Sequence, residues 1–530
     1  MGTPYLISER MSALNVKDLL LAPQLDRGTV VRLLEPYGLK DVVRADANLQ
    51  TAASDPSERE LFAAILEDVL ICASQSADPD QALAYFERFA RSGINKPQLF
   101  SYLRGSPQAL EILLRALGGS SYMAEILIRD PQLFYWVTDP QTLGRARRKR
   151  EIQRDLLATA KMLAGEPQQL DYLRFLKRRE MLHIGVRDLL RIATVEETWT
   201  SLSVLAEALI SGAHAICESA LRRELGIQGS AFRQFTVLAM GKLGGGELNF
   251  SSDVDLMYLY AASDEHAGEI SAPDYFRRLS QKITQGLNNF TGEGYVYRVD
   301  LRLRPEGKAG NIADSLETFR RYYSTRLAAW ERLALLKAWP VAGSRQLGAR
   351  FRQMVGDFVY GGAFDAQSLK NILEMKRRID DKAANQRPGG RNVKLGPGGI
   401  REIELIAQSL QVCYGNQVLQ LRERNTMRGL DLLRRNALLS DSEYDALSKA
   451  YIFLRDVENK LQMVQDAQTH WLPASDDELS ACASLLGYRR SGPVSLLEQF
   501  ERDYREHTTE VSRIFEEILG TASMQRFSGA

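Results

Sequence analysis

The stretch AMGKLGGGELNFSSDVDLMYLY, residues 239–260, constrains the chain more than any other. An apolar approach leads into a glycine-rich turn, and two aspartates one residue apart then open a run rich in Tyr and Leu. In a strand, residues i and i+2 point to the same face. Asp253 and Asp255 therefore share a face, while Val254 and Leu256 pack on the other. Two carboxylates this close resist ionising together unless a cation joins them. Mg²⁺ is the natural candidate, being hard, oxygen-seeking and commonly shared with substrate phosphates. The preceding glycines let backbone amides approach a phosphate closely. The order of residues is not that of a Walker loop. Taken singly, the aspartates also fit a solvated strand end and the glycines a plain flexible turn.

A second segment changes the balance. In YRVDLRLRPEG, Asp300, Arg302 and Arg304 alternate with Val299, Leu301 and Leu303, so a strand there presents one acid and two cations on one face. By itself this is an amphipathic edge strand. Beside the first segment, Asp300 completes a two-metal site or orients an attacking oxygen, and the arginines hold phosphate oxygens. The combination predicts metal-dependent transfer at a phosphorus centre, with positioning and charge neutralisation supplying most of the catalysis. The five histidines (His183, His214, His266, His470 and His507) are scattered and read as surface or core residues.

The surrounding sequence predicts an α+β chain that is mostly helical. In GSPQALEILLRALGGSS, Ser106 suits the cap, Pro107 the first turn and Gly118 the exit. Leu447, Tyr451, Leu454, Val457, Leu461 and Val464 form an apolar stripe longer than four turns, which reads as packing. FTVLAMG, DVDLMYLY and YVYRVDLRLRP read as strands. The expected division is a helical region over 1–170, a central α+β domain over 171–345 and a helical bundle over 346–530, the last broken by the Gly- and Pro-rich ANQRPGGRNVKLGPGGIRE. With 530 residues, several domains are expected.

Lys and Arg total 68 against 67 Asp and Glu, a net charge of +1, which argues against coating nucleic acid or an anionic membrane. The basic run RARRKR, residues 145–150, reads as a solvated face. Cys72, Cys217, Cys413 and Cys482 lie far apart and read as reduced thiols. MGTPYLISER has no apolar signal core, Leu6 stands where myristoylation wants Ser or Thr, and no charge-free run is long enough to span a bilayer. A cytoplasmic location is expected.

GKLGGGELNFSSDVDL followed by VDLRLRPEG resembles the nucleotidyltransferase domain of the glutamine synthetase adenylyltransferase/adenylyl-removing family. AWERLALLKA (329–338), NVKLGPGGIREIE (392–404) and ENKLQMVQDAQTHWLP (458–473) resemble the same family, and the likeness covers about residues 100–510. It implies a polymerase-β-like nucleotidyltransferase fold, a small mixed sheet with helices, flanked by helical bundles. Full-length members carry two such domains. One removes AMP from a glutamine synthetase tyrosine with orthophosphate, releasing ADP; the other adds AMP from ATP. The wording ELNFSSDVDL and NVKLGPGGIREIE is similar to the removing half, so phosphorolytic deadenylylation is the expected activity.

The resemblance further implies that Asp253 and Asp255 hold Mg²⁺ or Mn²⁺, two ions in all, with Asp300 as third acidic ligand or nucleophile guide. Gly241, Lys242 and Ser252 would lie around the phosphates, and Arg302, Arg304 and Lys394 would contact phosphate oxygens. Implied partners are adenylylated glutamine synthetase and the PII signal protein, with neither nucleic acid nor membrane. Three positions depart from the family pattern: Gly246 and Trp339 stand where Arg is usual, and Leu405 where Phe is. The rival expectations are ATP-dependent addition of AMP on the same fold, a non-catalytic regulator that only binds glutamine synthetase or PII, and a polymerase-like DNA enzyme.

Overall fold

The computed structural model describes residues 15–267, 269–362, 364–489 and 493–520; the N-terminal segment read above lies outside them. The chain divides into two compact units, residues 1–144 and 145–530.

The first unit is helical throughout its described part. Most of its helices start on short polar side chains that accept from the backbone: Asp26, Asp41, Asp55, Asp78, Asn95, Ser106, Ser120 and Asp139 each cap one. Proline follows several of these caps, where its missing N–H costs nothing. The helix Pro107–Gly119 starts as the sequence predicts, but Gly118 is not its exit. A Cβ there would stand 2.3 Å from Ser76 Oγ, so this glycine serves a close approach. Phe62 stacks with Phe86 and Phe100 at 5.6 and 5.0 Å in the core of this unit.

The second unit carries the sheet. Helices α1 (Glu166–Leu189) and α2 (Val195–Glu224) pack together, and α2 also packs on helix α4 (Ala272–Asn288) and on the strand β7 defined below. By length and composition α2 could cross a membrane, but Glu207 interrupts its apolar stretch, so the reading that no charge-free run is long enough stands. Its apolar stretch is mostly buried within the unit, as befits a core helix. The strands are β1 (Phe235–Ala239), β2 (Val254–Tyr260), β5 (Val299–Asp300), β6 (Ala313–Ser315) and β7 (Trp339–Gly343), with a short hairpin of β3 (His266–Ala267) and β4 (Ile270–Ser271) apart from them. Their order is β5-β2-β1-β7, with β6 also pairing with β2. β1 runs antiparallel to β2 and β7, while β5 and β6 run parallel to β2. The result is a small mixed sheet in a mostly helical chain, as expected.

Between β1 and β2 lies the short helix α3 (Gly241–Gly245). Helix α5 (Ala329–Leu336) precedes β7, and after the sheet come α6 (Ala366–Gln386), α7 (Ile400–Tyr414) and α8 (Asp441–Gln465), with the Gly- and Pro-rich segment between α6 and α7. Two expectations need correction. The strand predicted over YRVDLRLRP holds only at Val299–Asp300, because the chain then turns and the Arg302 N–H donates to Asp300 Oδ1 at 2.8 Å. The basic run is not simply a solvated face: Arg147 reaches Glu180 at 2.5 Å and Asp155 at 2.7 Å.

Candidate active site

A cavity of about 410 Å³ opens where the sheet meets α5, α6, α7 and α8. Gly241, Lys242, Ser252, Asp253, Asp255, Asp300, Arg302 and Lys394 all line it. Parallel pairing brings β5 beside β2 with Asp255 opposite Asp300 and Val254 opposite Val299. Carboxylates 45 residues apart in sequence thereby share one sheet face. Burial, followed by the nearby Asp300, pushes Asp255 up to about 6. Asp300 instead lies below its usual range: burial works against this, but bonds from the Arg302 side chain and backbone prevail. Asp253 accepts from Arg298 Nε at 2.7 Å.

Gly241 begins α3 with φ +54°, and a Cβ there would stand 2.5 Å from Asp255 Oδ2. Only glycine lets the backbone lie against that carboxylate. Lys242 turns the other way and donates to Glu458 Oε1 at 2.7 Å. Glu458, on α8, has no exposed side-chain surface and also accepts from Asn249 Nδ2 at 2.5 Å, with His470 Nδ1 2.7 Å away. Burial opposes its charge, yet Lys242, His470 and Arg455 hold it well below the ordinary carboxylate range. Lys242 itself is brought down to about 7 by burial, against the pull of Glu458. Ser252 Oγ accepts from the Asn249 N–H at 3.1 Å, fixing the turn before β2.

On the far wall, Lys337 donates to Glu404 at 2.9 Å, Glu247 at 3.0 Å and Thr426 at 3.2 Å. Burial raises Glu404, but Lys337 and Arg401 overcome it and bring the group down to about 2.

Arg304 does not join the cavity. Its guanidinium donates to the carbonyls of Leu301 at 2.8 Å and Gly310 at 3.1 Å, clamping the turn after β5. The departures from the family pattern have local reasons. Gly246 ends α3 in the left-handed region, at φ +73°, where a side chain is strained. Trp339 lies under Arg352 and Arg424, whose guanidinium carbons stand 4.2 and 4.1 Å from the ring centroid, so cations gather at this position from elsewhere. Leu405 is core.

Sequence reasoning missed Arg298, Lys337, Glu404, Glu458 and His470. Glu458 and Lys242 are 216 residues apart, and no spacing rule links them. A hint was present: in ENKLQMVQ the polar Glu458, Asn459, Lys460 and Gln462 lie off the apolar stripe, yet all four are buried.

The donor chemistry fits a hard divalent cation. Three oxygen donors face one cavity, and the half-buried Asp255 is short of positive charge. As placed, Asp253 and Asp300 are each taken by an arginine, and among the described residues no group of three or more His, Cys, Asp or Glu converges on one point.

Residues 110–354 match the model of the glutamate-ammonia ligase adenylyltransferase family, and residues 368–519 match that of GlnD PII-uridylyltransferase. Several curated relatives are named bifunctional glutamine synthetase adenylyltransferase/adenylyl-removing enzyme. One from Thioalkalivibrio sulfidiphilus is 38% identical over 414 residues, covering 77% of this chain and 42% of the relative. Those from Nitrosococcus oceani and Xanthomonas campestris are each 35% identical, over 79% and 78% of this chain and 43% of their own length. The chain thus spans less than half the length of the relatives it matches. With the mixed sheet, the acidic cluster on its inner strand and the helices around it, these matches make the chain similar to the glutamine synthetase adenylyltransferase/adenylyl-removing enzymes over the part of their length that it spans.

Proposed function

We propose that the chain removes AMP from a tyrosine of adenylylated glutamine synthetase by phosphorolysis, in the cytoplasm. The observation that carries this reading is a single cavity joining Asp253, Asp255 and Asp300 to the glycine turn and to Lys242, Arg302 and Lys394. An orthophosphate oxygen attacks the AMP phosphorus, the bond to the tyrosine oxygen breaks, and the phenol leaves with a proton given up by the phosphate. The products are ADP and unmodified tyrosine. Mg²⁺ or Mn²⁺, two ions held by Asp253, Asp255 and Asp300, would supply Lewis-acid charge neutralisation. The chain's own groups orient the two anions: the glycine turn admits phosphate oxygens beside Asp255, Arg302 and Lys394 offer charge-assisted donors, and Glu458 fixes Lys242 at the cavity wall.

The removing direction rests on the wording of ELNFSSDVDL and NVKLGPGGIREIE. The match of residues 368–519 to a PII-uridylyltransferase supports the PII signal protein as regulator, contacting the helical region after the sheet. A second reading, addition of AMP from ATP, is favoured by the adenylyltransferase name of the model matching residues 110–354.

Labelled orthophosphate decides between them. Incubated with this chain and adenylylated glutamine synthetase, the label should appear in the β-phosphate of ADP, with PII supplied in either modification state. Label from the α-phosphate of ATP appearing on unmodified glutamine synthetase, with none passing from orthophosphate to ADP, would overturn the removing direction.

A further inference from the structure

Part of the cavity wall carries no charged group. Beyond the acidic cluster, its wall is formed by Leu303, Trp330, Leu333, Met375 and Ile379. The spacing shows three helices each turning one stripe toward it. Trp330, Leu333 and Lys337 lie three and seven residues apart along and just past α5, Met375 and Ile379 lie four apart on α6, and Arg401, Glu404 and Gln408 share a face of α7.

Two features of this wall call for a ligand. Trp330 keeps 37% of its surface exposed, although Leu333 on the next turn is core. Gln408 is 7% exposed and lines the cavity, yet its carboxamide has no hydrogen-bond partner among the described residues. A carboxamide that faces an open cavity with no protein partner keeps both its donor and its acceptor available to whatever enters.

We propose that Trp330 and Gln408 form the subsite for the adenine base, Trp330 offering its ring face and Gln408 its amide edge. The proposal rests on the reading of the cavity as an adenylyl site. An indole face stacks on any flat aromatic ring, and a carboxamide carries a donor and an acceptor side by side. That pair matches the amino group and adjacent ring nitrogen of adenine. The apolar residues flanking Trp330 exclude water from the stacked face. The arrangement sets the base at one end of the cavity and the phosphates at the other, against the glycine turn and the acidic cluster. A tyrosine ring could use the same indole face, but it has no edge that asks for both halves of a carboxamide.

Calorimetric titration of the whole chain, with Mg²⁺ present, tests this. The ligands are ADP, pyrophosphate (phosphates without base) and phosphotyrosine (a ring without adenine). The expected result is that Trp330→Ala and Gln408→Leu each weaken ADP by about tenfold or more while pyrophosphate binding stays as in the wild type. Trp330→Phe should keep most of the affinity for ADP, which separates stacking from damage to the fold. Unchanged ADP binding in both variants overturns the subsite and leaves the adenylyl reading standing. A Trp330 dependence seen with phosphotyrosine but not with ADP assigns the wall to the tyrosine ring and overturns the adenine proposal. Failure of the wild type to bind ADP overturns the subsite together with the reading beneath it.

Discussion

Gly241 shows how one residue ties the turn to the carboxylates. Its left-handed backbone and the 2.5 Å approach of a would-be Cβ to Asp255 Oδ2 leave no room for a side chain. Gly241→Ala should therefore cost about 1–2 kcal/mol of stability from the backbone alone. Turnover should fall further than that loss explains, because Asp255 must move; urea unfolding and initial rates on the same preparation separate the two effects. The arginines of VDLRLRP also part company at this scale. Arg302 lines the cavity and engages Asp300, whereas Arg304 holds carbonyls of its own loop. Arg302→Ala should raise the KM for orthophosphate severalfold more than Arg304→Ala does, and equal effects would contradict the placement. The alternation Asp300, Arg302, Arg304 was plain in the sequence. What it concealed was the turn after Asp300, where an aspartate bonding the N–H two residues on is as natural as a continued strand.

At the scale of elements, the strands leading into and out of the glycine turn were legible, since β1 and β2 are buried, β-branched or aromatic runs bounded by turn residues. β6 and β7 were not, because three residues of ADS and a strand opening on Trp-Pro carry little periodic signal. The stripe of α8 was correctly read as packing, but its polar residues at 458–462 escaped notice. Their role depends on what the helix meets, and that is fixed only by the tertiary fold. Glu458 receives Lys242, Asn249, Arg455 and His470 in a water-free position. Glu458→Ala leaves the fully buried Arg455 without its carboxylate and Lys242 without its anchor, an arrangement that costs on the order of 3–5 kcal/mol. Denaturant unfolding should register that loss. A change below 1 kcal/mol would mean that the helix and the glycine turn are not coupled through this carboxylate.

For the molecule as a whole, the buried ion pairs set the pH range over which residues 145–530 hold together. Glu404 lies at about 2 in the fold against an ordinary 4.5, so its contribution is present above about pH 4.5 and is lost as pH falls toward 2. The shift corresponds to about 3 kcal/mol. Lys337 is raised above its ordinary value, so its contribution is complete below about pH 10.5 and fades only at higher pH. Acid unfolding followed by circular dichroism should steepen below pH 4.5, and Glu404→Gln should flatten that limb. The chemistry class and mixed fold were legible because the carboxylates and glycines cluster in sequence. The far wall of the cavity was not, since α5, α6 and α7 meet there from segments whose polar residues look like ordinary helix surface.

The most direct test of the central claim compares the wild type with a chain carrying Asp253→Asn and Asp255→Asn. Both are mixed with adenylylated glutamine synthetase, orthophosphate and Mg²⁺, and the mass of the glutamine synthetase subunit is followed together with its binding to the chain. The account predicts that the wild type strips the AMP and releases ADP. The double variant should still bind its target but lose turnover by on the order of a thousandfold or more. Removal of AMP at an undiminished rate by the double variant would contradict the assignment of this acidic cluster as the reacting centre.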